Sequence, residues 1–211
     1  SHTAEIIAVG TELLLGDIVN TNAQDISQAL SAVGIDVFWH TVVGDNPARL
    51  REALEIARQR ADIIITTGGL GPTCDDLTKV ALAEAFGKGL FFHEPSAQRI
   101  RDRFIQMERP MTENNLQQAM LPEGCTVLEN DWGTAPGCAF EEGGVHVLML
   151  PGPPHEMRTM LQRHVVPYLK ALSEEVLVSH TICTFGLGES SIEERLHDRM
   201  LNLYNPSLAT Y

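Results

Sequence analysis

Two adjacent aspartates behind a glycine-rich turn are the residues of this sequence best placed to do chemistry. They lie in the stretch Ile63-Ile64-Ile65-Thr66-Thr67-Gly68-Gly69-Leu70-Gly71-Pro72-Thr73-Cys74-Asp75-Asp76-Leu77-Thr78. A β-branched run enters the turn, which opens into a helix starting at the aspartates, so the segment reads as strand, loop, helix. Three glycines in the four positions 68–71 allow positive φ and leave backbone N–H groups uncovered, so the loop can wrap an anion at a helix N-terminus. A phosphate beside two carboxylates is repulsive unless a cation lies between them. The segment therefore points to a nucleotide or diphosphate carried with a divalent metal. A plainer reading is that Thr73 and Asp76 form a helix-start capping pair, where acids are favoured in any case. Capping needs neither the three glycines nor the second aspartate.

The elements that must position these residues follow from periodicity and punctuation. Residues 4–9 form a first strand that ends at Gly10-Thr11-Glu12, and a Leu-rich link leads on to Asn20. Asn20 or Thr21 caps a helix to about residue 33, stopped by Gly34; residues 35–43 form strand two, ending at Gly44-Asp45-Asn46. Asn46 as cap and Pro47 at the first helical position start the next helix, and residues 62–67 form the strand that feeds the glycine loop. Helix is expected over 75–86, a brief strand over 90–93, and helices over 95–107 and 112–120. Two strands, 138–141 and 145–150, are joined by a Gly143-Gly144 hairpin, and a long helix over 155–172 follows Pro151-Gly152-Pro153-Pro154.

Strands alternating with helices predict a three-layer α/β fold, a mostly parallel sheet with helices on both faces and right-handed crossovers. In such sheets ligands bind outside the carboxyl ends of the strands. Thr11-Glu12, Asp45-Asn46, the loop 68–76 and the turn 151–156 then meet on one edge. Carboxylates about 4 Å apart repel by roughly 4 kcal/mol per pair at an effective dielectric near 20, so Glu12, Asp45, Asp75 and Asp76 gathered there would ask for a metal. Residues 1–172 are read as this domain. Residues 173–211, with a strand over 176–183 and a helix over 190–203 whose Ile192, Leu196, Met200 and Leu203 face inward, read as the truncated start of a small α+β unit.

Composition excludes several classes. The 211 residues carry a formal net charge of −13, with 28 acidic against 15 basic side chains, which removes the attraction that non-specific nucleic-acid or anionic-membrane binding depends on. No apolar run approaches the roughly 18 to 20 residues needed to span a bilayer. The four cysteines, Cys74, Cys125, Cys138 and Cys183, form no C-x-x-C pair and read as reduced thiols of a cytoplasmic protein. The start, Ser1-His2-Thr3, lacks methionine and reads as a processing remnant. Gly69-Leu70-Gly71-Pro72-Thr73-Cys74 falls short of a dinucleotide fingerprint because Cys74 replaces the third glycine and the loop follows the third strand. P-loop and nucleophile-elbow motifs are absent.

The loop Gly68-Gly69-Leu70-Gly71-Pro72-Thr73-Cys74-Asp75-Asp76-Leu77-Thr78 resembles the signature of the CinA-like, competence/damage-inducible protein family. So do Gly10-Thr11-Glu12-Leu13-Leu14-Leu15-Gly16, Asn20-Thr21-Asn22, Val43-Gly44-Asp45-Asn46, Gly133-Thr134-Ala135-Pro136-Gly137 and Pro151-Gly152-Pro153-Pro154-His155-Glu156-Met157. The resemblance covers nearly the whole chain. It implies the family's N-terminal domain, a molybdopterin-binding-domain fold, and metal-dependent hydrolysis of ADP-ribose to AMP and ribose 5-phosphate. Full-length relatives often add a C-terminal nicotinamide mononucleotide deamidase domain, for which this sequence has no counterpart. Molybdenum-cofactor enzymes of the fold carry Gly-Gly-Thr-Gly and, three residues on, Arg-Asp; here Leu70 replaces the threonine and Asp75 stands in the arginine's place. That exchange favours a metal-bridged diphosphate over direct pterin-phosphate binding. A non-catalytic pterin- or nucleotide-binding module is the competing reading.

On this resemblance, Gly68, Gly69, Leu70, Gly71, Thr73 and Thr78 are assigned to the diphosphate. Asp76, Asp75 and Asp45 are the catalytic carboxylates and, with Glu12, hold a divalent metal such as Mg, Mn or Co. Gly10, Thr11, Gly152, Pro153 and Glu156 form the site edge. The expected partner is a small-molecule nucleotide, with no nucleic acid and no membrane; the oligomeric state and the carboxylate that serves as base are left open.

Overall fold

Side-chain alternation on β-branched strands decides the centre of the molecule. A computed structural model describes residues 2–74, 76–172, 178 and 180–210. The strands are β1 (Thr3–Val9), β2 (Asp36–Val43), β3 (Ile63–Thr67), β4 (Leu90–Phe92), β5 (Met120–Pro122), β6 (Thr126–Leu128), β7 (Gly137–Glu142) and β8 (Val145–Leu150). The helices are α1 (Thr11–Leu15), α2 (Thr21–Ala32), α3 (Pro47–Ala57), α4 (Thr78–Ala85), α5 (Glu94–Gln106), α6 (Pro154–Met160), α7 (Val166–Leu172) and α8 (Glu189–Asn202).

Six strands form one sheet in the order β2-β1-β3-β8-β7-β6, while β4 and β5 pair separately. β2, β1, β3 and β8 run parallel, and the edge pairs β8–β7 and β7–β6 are antiparallel. Alternate residues of the parallel strands go to opposite faces. Ile6, Ile63, Ile65, Leu148 and Leu150 pack with Ile26, Leu30, Met157, Leu161 and Leu169 on one side. Ile7, Ile64, Val147 and Met149 pack with Leu50, Leu54 and Leu82 on the other. The sheet is thus buried on both faces, as the expected three-layer α/β architecture requires. The hairpin at Gly143-Gly144 is present, with φ of +61° and +79°. A third apolar cluster, Ala97, Ile100 and Ala119 with Phe104 and Leu116, lies under α5.

An ion pair between buried Glu5 and partly exposed Arg60 fixes the first strand. Glu5 is fully buried, accepts a 2.6 Å hydrogen bond from the Thr41 hydroxyl, and receives Nε and NH2 of Arg60 at 2.8 Å each. The Arg60 guanidinium lies 4.7 Å from the centre of the Trp39 ring.

Several expectations need correction. The helix after the glycine loop begins at Thr78 rather than 75. The Leu-rich link contains α1, none of whose residues is buried. The segment expected as helix over 112–120 is a 3-10 stretch, Glu113–Ala119, followed by β5. The long helix over 155–172 is interrupted by a π-helical turn, Leu161–Val165, between α6 and α7. Pro167 causes the interruption: it has no N–H to give to the preceding turn, and its ring would strike the carbonyl four residues back. The chain separates into two units, residues 1–177 and 178–211. In the second, α8 leaves Ile192, Leu196 and Met200 half-buried, whereas Leu203 lies outside the helix and is exposed rather than inward. The strand expected over 176–183 is not formed at 178 and 180–183, and its other residues lie outside the described ones.

Candidate functional site

Register sets the site. Val9 pairs with Val43, Ala8 with Thr67, and Thr67 with Leu150, so four parallel strands finish level and their loops open on one edge. Two backbone hydrogen bonds continue the sheet past the ends: Gly10 N–H to Val43 O at 2.9 Å, and Gly68 N–H to Leu150 O at 3.0 Å.

The glycine loop is shaped by contacts that only glycine permits. Gly68 and Gly69 have φ of +103° and +66°. A Cβ on Gly68 would lie 2.2 Å from Val9 O, and one on Gly69 would lie 2.1 Å from Thr78 Oγ1. Thr78 is buried, its hydroxyl donates to Gly68 O at 3.0 Å, and its N–H donates to Gly69 O at 3.2 Å. Thr78 therefore folds the loop back on the start of α4. Leu70 is buried in the second core cluster and anchors the middle of the loop.

Asp76 lies before the helix, not in its first turn. Its Oδ2 accepts from the Thr73 N–H at 2.9 Å and the Thr73 hydroxyl at 2.6 Å, while its own N–H donates to Thr73 O at 3.1 Å. The Thr73–Asp76 capping chemistry is thus real but closes a turn. The same Oδ2 would stand 2.4 Å from a Cβ on Gly71, so the carboxylate lies over that glycine. Asp75 lies outside the described residues.

On the neighbouring strand ends, Asp45 Oδ2 accepts the Thr11 N–H at 2.8 Å and the Asp45 N–H donates to Thr11 Oγ1 at 3.1 Å. Glu12 folds back so that its carboxylate would meet a Cβ on Gly10 at 2.7 Å. On the far side, Gly152 lies against Gly68 and Pro153 precedes α6. Glu156 accepts a 2.7 Å hydrogen bond from Asn130 and fills the space beside Gly133.

The structure brings all these turns to one edge. Among the described residues no three Asp, Glu, His or Cys side chains form a group able to hold a metal ion. Asp76 leans on Thr73 of its own turn, Asp45 on Thr11 of the neighbouring one, and Glu12 folds over Gly10.

Asn22 is a site residue that sequence reasoning passed over. It is buried in the first turn of α2, and its Nδ2 donates at 2.8 Å to both Thr67 Oγ1 and Gly152 O, while the Thr67 hydroxyl donates to Pro151 O at 2.9 Å. One amide thus joins the end of β3 to the turn after β8. Its Oδ1 is buried with no protein partner among the described residues. The available signal was the pair of asparagines in Asn20-Thr21-Asn22, of which Asn20 caps the helix by accepting from Ala23 N–H.

Residues 5–171 match a family model described as a probable molybdopterin binding domain. A putative competence-damage inducible protein of Acetivibrio thermocellus is 53% identical over 208 residues, covering 99% of this chain and 50% of the relative. A CinA-like protein of Dictyoglomus turgidum is 52% identical over 207 residues, again covering 50% of its length. The chain spans about half the length of the curated relatives it matches. Among solved structures, the protein CinA from Thermoplasma acidophilum superposes with a TM-score of 0.70 at 36% identity, covering 76% of this chain and 94% of that one. A molybdopterin biosynthesis protein from Mycobacterium abscessus shares the fold at a TM-score of 0.53 and 18% identity, covering 81% of this chain and 96% of that one. With half the length of such relatives aligned at this identity and the fold in common, the chain belongs to the CinA-like, competence-damage inducible family and comprises its molybdopterin-binding-type domain.

Proposed function

We propose that the strand-end site binds a nucleotide diphosphate together with a divalent metal ion and hydrolyses it, with ADP-ribose giving AMP and ribose 5-phosphate. The observation that carries this reading is the loop Gly68 to Gly71: a backbone-only cradle held open by two positive φ values, with the Asp76 carboxylate lying over Gly71. Backbone N–H groups of Gly69, Leu70 and Gly71 would take the diphosphate oxygens, and Thr73 would hold Asp76 in place.

The donors fit a hard divalent ion such as Mg, Mn or Co. They are all carboxylate oxygens, and Mg in particular is usually held by one or two carboxylates plus substrate phosphates rather than by a protein-only cage. Asp76, Asp75, Asp45 and Glu12 are the residues that would hold it. When bound, the ion polarises the phosphoryl group and lowers the pKa of an attacking water. In the reaction one water oxygen bonds to phosphorus, the bridging P–O bond breaks, and a carboxylate of the edge accepts the proton.

Incubation of the pure protein with ADP-ribose and each of several divalent ions tests the proposal. AMP is the expected product; none above a chelated control with any ion refutes it. The family model's description favours one alternative, a module that grips a pterin or nucleotide without cleaving it. Tight, metal-independent calorimetric binding of a molybdopterin-type ligand, with ADP-ribose left intact, would establish the alternative instead.

A further inference from the structure

On α5 the spacing of Ser96, Arg99 and Arg103 puts three polar side chains on one face of the helix, while Ala97, Ile100 and Phe104 turn to the third apolar cluster. Across a cavity of about 320 Å³ the polar face meets the end of β6 and the loop that follows it, residues 127–136. That volume is at the lower end for small-molecule sites.

Both walls of the cavity are tied to the strand-end site. Asn130, on the loop side, donates its Nδ2 to Glu156 at 2.7 Å, and Glu156 lies in the first turn of α6, four residues after the Gly152 that rests against Gly68. On the other side, the 3-10 stretch packed under α5 donates Asn114 Nδ2 to Pro72 O of the glycine loop at 3.4 Å. The cavity is therefore the next space along the edge from the diphosphate cradle.

Its lining restricts what can fill it. Arg103 is half-buried; its NH2 donates to Trp132 O at 3.0 Å, its Nε is buried with no partner, and no carboxylate pairs with it among the described residues. Arg99 bridges Glu129 and Asp131 at 3.2 and 3.0 Å, and Arg163 closes on the second oxygen of Asp131. The exposed Asp102 carboxylate, one residue before Arg103, accepts from Gln98 at 2.8 Å. Charges around the cavity thus balance, so a free anion gains little net attraction. No Phe, Tyr or Trp is among the lining residues, so a nucleobase finds no aromatic ring to stack on. Guanidinium donors in a fixed plane, carboxylate acceptors beside them, and apolar Pro95, Val127 and Pro136 suit a sugar, whose hydroxyls both donate and accept and whose C–H face is apolar. The loop wall is set in advance: Asn130 Oδ1 accepts from the N–H of Trp132 and of Gly133 at 3.1 and 2.8 Å, and its Nδ2 also donates to Ala135 O at 2.9 Å.

We propose that this cavity is the subsite for a sugar carried on the phosphate distal to the nucleoside, with Arg103 as the donor that selects it, so that the substrates are nucleoside diphosphate-linked sugars rather than dinucleotides. The assignment rests on the proposed hydrolysis and adds which half of the substrate occupies which space.

Calorimetry on the full chain with Mg present tests it, using inorganic phosphate, ribose 5-phosphate and AMP on the wild type, Arg103→Met and Asp102→Asn, with melting temperatures as the folding control. Ribose 5-phosphate should bind more tightly than inorganic phosphate. Arg103→Met should weaken it about tenfold or more, the loss of one hydrogen bond from a charged group, and leave inorganic phosphate and AMP unchanged. Asp102→Asn, at an exposed position, should weaken ribose 5-phosphate selectively as well and carries the test if Arg103→Met does not fold. Ribose 5-phosphate binding no tighter than phosphate, or unaltered in the folded variants, overturns the subsite; so does a loss confined to AMP, which would put the nucleoside in the cavity. The ADP-ribose assay separates this from the hydrolysis itself. Selective loss of ribose 5-phosphate in a protein that releases no AMP removes the hydrolysis and keeps the sugar subsite, whereas AMP release with ribose 5-phosphate binding unaltered in the variants removes the subsite alone.

Discussion

Replacing Lys79 by Met should make the protein more stable at neutral pH, although it removes a hydrogen bond. Burial lowers the Lys79 pKa from 10.5 to about 8. At about 1.4 kcal/mol per unit, keeping the ammonium in the fold at pH 7 costs about 3 kcal/mol. The folded pKa lies below the unfolded one, so between about pH 8 and 10.5 the unfolded chain binds more protons and this lysine makes stability rise with pH. Below that window both states are protonated and the penalty is complete. Methionine abolishes the penalty but leaves the Gln118 carbonyl without its donor, a loss of about 1 to 2 kcal/mol. The variant should therefore gain about 1 to 2 kcal/mol at pH 7, lose that advantage as pH rises through the window, and fall below the wild type above it. Urea denaturation of both proteins in reducing buffer at pH 7, 8, 9 and 10 measures the difference directly. A difference that stays constant across these pH values, or a variant much weaker at pH 7, would show that the charge is not desolvated as its burial implies.

Asp76→Asn keeps an oxygen that can accept from Thr73 but removes the charge, so ADP-ribose turnover should fall about 100-fold, near 3 kcal/mol, with little change in melting temperature. A variant that melts earlier yet hydrolyses normally would leave Asp76 as a turn-closing acid only. Gly69→Ala should cost about 2 kcal/mol or more in urea, from a left-handed φ plus the clash with Thr78, whereas Gly143→Ala has a similar φ in open space and should cost only about 1. Equal costs would contradict the tight packing of the loop. Glu5→Ala removes the buried acceptor shared by Thr41 and the partly exposed Arg60 and should destabilise by about 1 to 2 kcal/mol in the same assay; no measurable loss would mean that the pair is effectively solvated.

Much of this fold was legible because its local signals agree with one another. The run Ile63 to Ile65 is apolar on both faces because both are covered, and Asn46-Pro47 states its helix start twice, by cap and by ring. The misreadings have physical causes. α1 carries Leu14 and Leu15 that are 55% and 71% exposed, so there was no buried stripe from which a period could be read. Thr73 and Asp76 do make the bonds of a capping pair, but Gly69 O takes the Thr78 N–H and delays the helix. For the site, the positions of Asp45 and Asp76 at the strand ends were readable; their separate hydrogen bonds depend on Thr11 and Thr73, and local spacing shows only the second. Asn22 was invisible for a related reason, since its partners Thr67 and Gly152 lie far away in the chain.

The π turn before Pro167 has a consequence for how this family can change by insertion and deletion. A π turn holds one more residue than the α-helical turn it replaces, so everything after it is rotated by about 100° relative to an uninterrupted helix. Met157 before the turn, Leu161 at its start and Leu169 after it are all buried against the same face of the sheet, and Leu169 keeps that face through the phase shift. Converting Leu161–Val165 to an α-helical turn with every residue kept would carry Leu169 around toward solvent and put Tyr168 in its place, whereas deleting one residue together with the π turn would leave Leu169 where it is. The turn therefore absorbs one residue in the last helix of the domain, and losing that residue with the turn would leave the buried face of the helix unchanged.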